Sequence, residues 1–299
     1  MKNVIFGIAV LIIVGQIAGL IFYPMSPKST VGQEPNIQEP PIKQPLYADE
    51  AVDYSLQNDE VNITFDNGEN WLPIPIEKDA LFNGEYSGNR EELIENSYVL
   101  TENHAAFLYS EGASPEENSI KLIHSFDKGK SWEEVIIAED YPPIRFRKVA
   151  FLNDRFGYII ISGDRTMSQE RSSVFLTLDS GNTWKETNNS NVTRLVADGG
   201  FTDEQTGFLS FGILNPEQPE LHVTQDGGAT WNEAEIRIPA KYRKIFVIAE
   251  APFKEGNQLA MLINQGPSGD YAGGEVKGKF LSKDNGKTWA FSTEVQANE

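Results

Sequence analysis

Three arginines, Arg147, Arg194 and Arg243, stand at equivalent places in three similar stretches of the chain. A guanidinium grips carboxylate or phosphate oxygens through paired N–H donors. Three of them converging would make a local anion site on a chain whose formal net charge is −19. The competing reading pairs each arginine with one of the many nearby acids. Tyr158, Tyr242 and Tyr271, with numerous carboxylates, could supply a nucleophile and acid–base groups, but no spacing ties any pair together. His104, His124 and His222 lack the spacing of metal ligands. With no Cys, thiolate chemistry and disulfides are excluded. No catalytic residue, metal or cofactor is expected. Asn62, Asn188 and Asn191 match the glycosylation sequon, which matters only in a eukaryotic secretory pathway.

The elements that would position these groups are marked by one pattern that occurs five times. It reads TFDNGENW at 64–71, SFDKGKSW at 125–132, TLDSGNTW at 177–184, TQDGGATW at 224–231 and SKDNGKTW at 282–289. The aspartates are Asp66, Asp127, Asp179, Asp226 and Asp284, and the glycines Gly68, Gly129, Gly181, Gly228 and Gly286. The closing tryptophans, Trp71, Trp132, Trp184, Trp231 and Trp289, are all the Trp of the protein. Such an Asp can accept N–H bonds from the turn that follows it, and the Gly suits a backbone with positive φ. The leading hydroxyl can bond across a hairpin, and the Trp is a large apolar plate for packing. The boxes therefore read as structural turns.

Successive box aspartates are 61, 52, 47 and 58 residues apart, counted from Asp66 through Asp127, Asp179 and Asp226 to Asp284. Periods near 40–50 residues belong to propeller blades, each a small sheet needing neighbours on both faces. The last four units each offer β-rich runs ahead of the box, such as 147–151, 157–162 and 173–177 in the third. The first unit is shorter, with one further strand candidate at 51–56. After its box comes an insertion, 76–97, carrying a possible helical turn at 90–95 opened by Asn89. The expected fold is an all-β propeller of five blades, with six as the alternative. The ring is expected to close between the N- and C-terminal segments.

These boxes resemble the Asp-box, or BNR, repeat of the sialidase-like propeller superfamily, over about 49–299. The superfamily includes sialidases, other exo-glycosidases, sortilin-type receptors and photosystem II assembly factors, the non-enzymatic members being possible near relations. The resemblance implies that the box is a structural turn remote from any active site. It also implies that an enzyme of this kind would hold a substrate carboxylate with an arginine triad and use a Tyr assisted by Glu, with an Asp as acid/base. The family's F/Y-R-I-P element normally precedes the first box. Here Arg237, Ile238 and Pro239 follow the fourth, which reads as coincidence.

Strand parity puts the box turns on the same face as the links between first and second strands. The opposite face carries longer loops, 111–119, 163–172, 213–220 and 265–278, where recognition is expected. Ahead of the propeller, residues 4–23 read as a membrane span of about the right length and 24–48, with six Pro, as a tether. The expectation is a single-pass cell-membrane protein with its propeller outside. Its acidic surface disfavours nucleic acid. The expected function is a binding or assembly module without catalysis, for an unknown protein or an anionic small molecule or glycan. A sialidase-like exo-glycosidase acting on anionic glycans is the alternative, for which Arg, Tyr and Glu should converge on the loop face.

Overall fold

The computed structural model describes residues 51–296, apart from 58–59, 86–87, 113–116, 167–168 and 213–214. The expected membrane span, 4–23, and tether, 24–48, lie outside the described residues. Among the described residues no helix is long and apolar enough to cross a membrane. The expected single-pass membrane location is corrected accordingly, and nothing below rests on it.

The described chain is all-β and propeller-like, with short 3-10 turns as its helical elements. Its strands form five sheets. The second sheet runs Tyr98–Leu100, Ala105–Glu111, Ser119–Ser125 and Glu133–Ala138 in sequence order, antiparallel throughout. The third, with Ile144–Phe151, Gly157–Thr166, Gln169–Thr177 and Lys185–Glu186, repeats that meander. So does the fourth, with Leu195–Phe201, Gly207–Gly212, Glu220–Thr224 and Asn232–Glu233. Middle strands such as Ala105–Glu111 are buried on both faces over six residues, because a sheet lies on either side. Outer strands such as Glu133–Ala138 are largely exposed.

Each box is a hydrogen-bonded knot within its own turn. In the fourth, the Thr224 hydroxyl donates to Asp226 Oδ1 at 2.8 Å and accepts the Gly228 N–H at 2.8 Å. Asp226 Oδ1 also accepts the Thr230 N–H at 2.8 Å, and Oδ2 the Thr230 hydroxyl at 2.7 Å. In the first box Asn70 takes the place of that hydroxyl, its Nδ2 reaching Asp66 Oδ2 at 2.7 Å. The leading hydroxyl thus ties the turn itself instead of crossing the hairpin. The box glycines have φ between +76° and +91°, and four of them have a second reason to be Gly. A Cβ on Gly129 would press on Leu72 and Phe65, on Gly181 against His124, on Gly228 into Thr187 and on Gly286 into the Phe208 ring. Those neighbours all belong to the preceding sheet. Gly68 meets only its own Trp71.

Four apolar clusters hold successive sheets together. Ile63 with Phe107 represents the first interface, Leu122 with Val149 the second, Ile160 with Leu209 the third, and Phe208 with Met261 and Trp289 the fourth. Each buried aromatic or aliphatic side chain contributes about 1.5–3 kcal/mol, so these interfaces, and not the turns, carry most of the stability. Among the described residues no such cluster joins the fifth sheet to the first. The C-terminal strand Thr288–Gln296 pairs with Val276–Ser282 and, in parallel, with Glu235–Arg237. The expected closure of N- and C-terminal segments is therefore corrected. The first sheet has three strands, Asp53–Ser55, Asn62–Thr64 and Leu72–Pro73. Its Trp71 is 43% exposed where Trp289 is 0%.

The insertion contains a 3-10 turn at Lys78–Phe82 and not the turn expected at 90–95, which is bends and loop. Asn89 Oδ1 caps only the Glu91 N–H, at 2.8 Å. Leu81 and Phe82 are buried in the first interface, which explains where the turn forms.

Candidate functional site

Local partners, more than strand symmetry, decide where the three arginines go. Arg147 lies within the strand Ile144–Phe151 and is buried. Its guanidinium donates to the carbonyls of Leu81, at 3.0 Å, and of Asn83, pinning the insertion to the third sheet. The residue at the strand's beginning is Arg145, held between Glu85 at 3.1 Å and Glu170. Arg194 forms a two-pronged ion pair with Glu220 of its own sheet, which also meets His222 at 3.3 Å. Arg243 follows the 3-10 turn Ala240–Tyr242 and is exposed. Each arginine thus has its own surroundings, and Arg243 alone of the three lines a groove.

That groove runs between the fourth and fifth sheets on the loop face and consists of two adjoining hollows that share Lys244. The larger, about 550 Å³, is bounded by Glu217, Glu233, Glu235, Arg237 and Arg243. Lys244 is paired with Glu217 at 2.9 Å and Arg237 with Glu235 at 2.8 Å. Arg243 and Glu233 are the two charges of that hollow without an ion-pair partner among the described residues. The smaller hollow, about 220 Å³, is lined by Asn215, Gln265, Ser268, Asp270 and Tyr271.

The smaller hollow is rigid because its loop is tied internally. Gln265 Oε1 accepts the Tyr271 N–H at 2.9 Å, while its Nε2 donates to the Tyr271 and Val276 carbonyls, both at 2.9 Å. The Tyr271 hydroxyl donates to Glu294 Oε1 at 2.9 Å, and the buried Tyr242 hydroxyl donates to the same oxygen. These bonds, that of Tyr242 first, hold the Glu294 carboxyl below its ordinary range. The Tyr271 hydroxyl is raised, chiefly by its bond to Glu294. Lys241 lies over the Tyr242 ring at 4.2 Å and 4.0 Å from Glu294. Of the three tyrosines singled out in the sequence, two therefore meet at one carboxylate. Tyr158 is buried between the third and fourth sheets and lines no groove.

Glu294, Asp270, Glu233 and Lys241 were not marked by the sequence. Glu294 follows the last box by five residues and has no counterpart in the other units, so no repeat pointed to it. The histidines also lie apart from the groove: His104 and His124 pack together by the second box, with ring centroids 6.2 Å apart. Among the described residues no cluster of three or more His, Asp or Glu could hold a metal ion.

No family model and no curated protein matches the chain. Solved structures resemble it in fold. The GH43_1 enzyme from Xanthomonas citri is 10% identical, with 71% of this chain and 74% of that one aligned and a TM-score of 0.40. The GH74 xyloglucanase from Xanthomonas campestris is 15% identical over 78% of this chain and 34% of its own, at a TM-score of 0.43. A protein of unknown function from Dyadobacter fermentans is 14% identical over 70% and 61%, also at 0.43. At these identities the likeness is one of fold alone. The expected membrane-tethered module without catalysis is corrected here: the enzymes named among these similar chains are glycoside hydrolases, the class of the alternative reading.

Proposed function

We propose that this chain is a five-bladed propeller of the Asp-box kind that hydrolyses glycosidic bonds of an anionic glycan in the groove between its fourth and fifth sheets. The observation that carries the reading is the hydrogen bond from the Tyr271 hydroxyl to Glu294, 2.9 Å long, beside a hollow that also holds Asp270. A phenol whose proton is already directed at a carboxylate is the arrangement that a tyrosine nucleophile requires. Because Glu294 raises the Tyr271 hydroxyl, free phenolate does not accumulate. The proton passes to Glu294 as Tyr271 Oη bonds to the anomeric carbon. Asp270 gives a proton to the departing glycosidic oxygen, and water then cleaves the tyrosyl–sugar bond in the reverse sense. Arg243, exposed and unpaired, offers donors to a sugar carboxylate, while Glu233 can accept from hydroxyls.

The test is a panel of fluorogenic glycosides, sialosides and uronides beside neutral sugars. The expected outcome is turnover of anionic members, reduced at least about a thousandfold in Tyr271→Phe with the unfolding temperature unchanged. No turnover of any member by the unaltered chain, or full activity in Tyr271→Phe, overturns the reading.

A further inference from the structure

We infer that the groove reads a chain of at least two sugar units, with the charged unit held away from the bond that is cut. The inference rests on the glycan reading above and deepens it. The smaller hollow, about 220 Å³, carries Tyr271 and Asp270, and falls below the ~300 Å³ at which pockets for drug-sized ligands begin. It has room for one sugar ring. The larger hollow, about 550 Å³, lies well inside that ~300–1,000 Å³ range and exceeds what a single ring fills. The two share Lys244 and are therefore parts of one continuous path.

The larger hollow also has the makings of a subsite in its own right. Its floor is fixed by backbone bonds from Ala234 N–H to the Leu221 carbonyl at 2.8 Å and from Glu235 N–H to the Lys287 carbonyl at 2.9 Å. Lys244 at the junction is held by Glu217, so the passage has a charged rim that is already neutralised. Arg243 and Glu233 are left as one unmatched donor group and one unmatched acceptor group. Both belong to the larger hollow, apart from Tyr271. A ligand confined to the smaller hollow would leave both unused. A chain that runs on past Lys244 would satisfy an anionic group with Arg243 and hydroxyls with Glu233. Bidentate recognition of a carboxylate by arginine fits this placing.

The experiment measures binding and cleavage of two anionic series of one to four units, oligogalacturonides and oligomers of sialic acid. Cello-oligosaccharides of the same lengths serve as neutral controls. The expected result is an affinity that rises at least about tenfold, or 1.4 kcal/mol, from one to three units of one anionic series. In Arg243→Ala the ratio of three-unit to one-unit affinity should fall to near one, and in Glu233→Gln it should fall in part. Equal affinity for one and three units, with cleavage that still depends on Tyr271, overturns the extended site while leaving the hydrolase reading in place. A length dependence shared by the neutral series and untouched in Arg243→Ala overturns the placing of the charged unit. Absence of binding and cleavage throughout both anionic series overturns both.

Discussion

The backbone of Gly286, at φ +85°, lies flat against the ring of Phe208 from the preceding sheet. A Cβ there would overlap the ring outright, and Phe208 is itself fully buried, with Trp289 against it at 6.0 Å between centroids. Gly68 has the same backbone, φ +83°, but no neighbour from another sheet. Gly286→Ala should therefore cost about 3 kcal/mol or more, overpacking and backbone strain acting together. Gly68→Ala should cost only about 1 kcal/mol, from backbone strain alone. Urea unfolding of the two variants side by side checks this, and equal losses would refute the packing argument.

Asp198 joins three sheets. It accepts from Lys148 Nζ at 2.8 Å, from the Ala251 N–H at 2.7 Å and from the Gly199 N–H at 2.8 Å. Burial on its own would raise this carboxyl, but Lys148 and the backbone donors outweigh it and hold it below its ordinary value. Asp198→Ala should destabilise by roughly 3–5 kcal/mol, because Lys148 is left half-buried without its partner. The double variant Asp198→Ala with Lys148→Met should recover part of the loss. A double variant as unstable as the sum of the singles would show that the pair is not coupled.

The histidines make stability depend on acid. His104 stacks on Phe126 at 4.1 Å and meets Phe151 edge-on at 4.5 Å. Burial, and then the nearness of His124, lowers it from 6.5 to about 3. His124 is lowered by burial too, with Glu133 acting the other way. For a depressed histidine the folded state stays neutral while the unfolded chain takes up the proton. Stability is thus complete above 6.5 and declines as pH falls towards 3, by up to about 1.4 kcal/mol per unit for His104. His104→Phe should flatten the slope between pH 6.5 and 4 in denaturant titrations; an unchanged slope would place the acid sensitivity elsewhere.

Arg147 serves as a hook for the insertion. Replacing it with Met leaves the carbonyls of Leu81 and Asn83 without their donor, at a cost of about 2–4 kcal/mol. The insertion, 76–97, should then become the first site of limited proteolysis, while hydrolysis of short fluorogenic glycosides continues. Protection of that segment in the variant would contradict the role.

The repeated box made most of the fold legible, because a turn that needs Asp, Gly, a hydroxyl and Trp in fixed order leaves the same trace every time. The strands ahead of each box could then be laid out by analogy, and Gly157–Thr166 or Gly207–Gly212 began where the pattern placed them. The arginines were less legible for the converse reason. Equivalent positions share a backbone, but a long side chain bonds to whatever lies beside it. Beside Arg147 lies an insertion absent from the other units, whereas Arg243 follows a connection that departs to form the extra strand Glu235–Arg237. Tyr271 and Glu294 could not be joined from sequence, since a loop in one hairpin meets the far end of the next strand only through the register Gly278 to Glu294.

The four interfaces between the described sheets make a line with two ends. In a line, each sheet is stabilised only by its neighbours, and the terminal ones have a single neighbour each. The molecule then behaves as a stack that can fray from its ends, with a Trp in every layer to report it. Trp71 already contacts water, and Trp289 is sealed against Phe208. Iodide would quench the first layer in the native state and reach the last only once the fourth interface had parted, so the order in which the layers dissolve can be read from fluorescence alone.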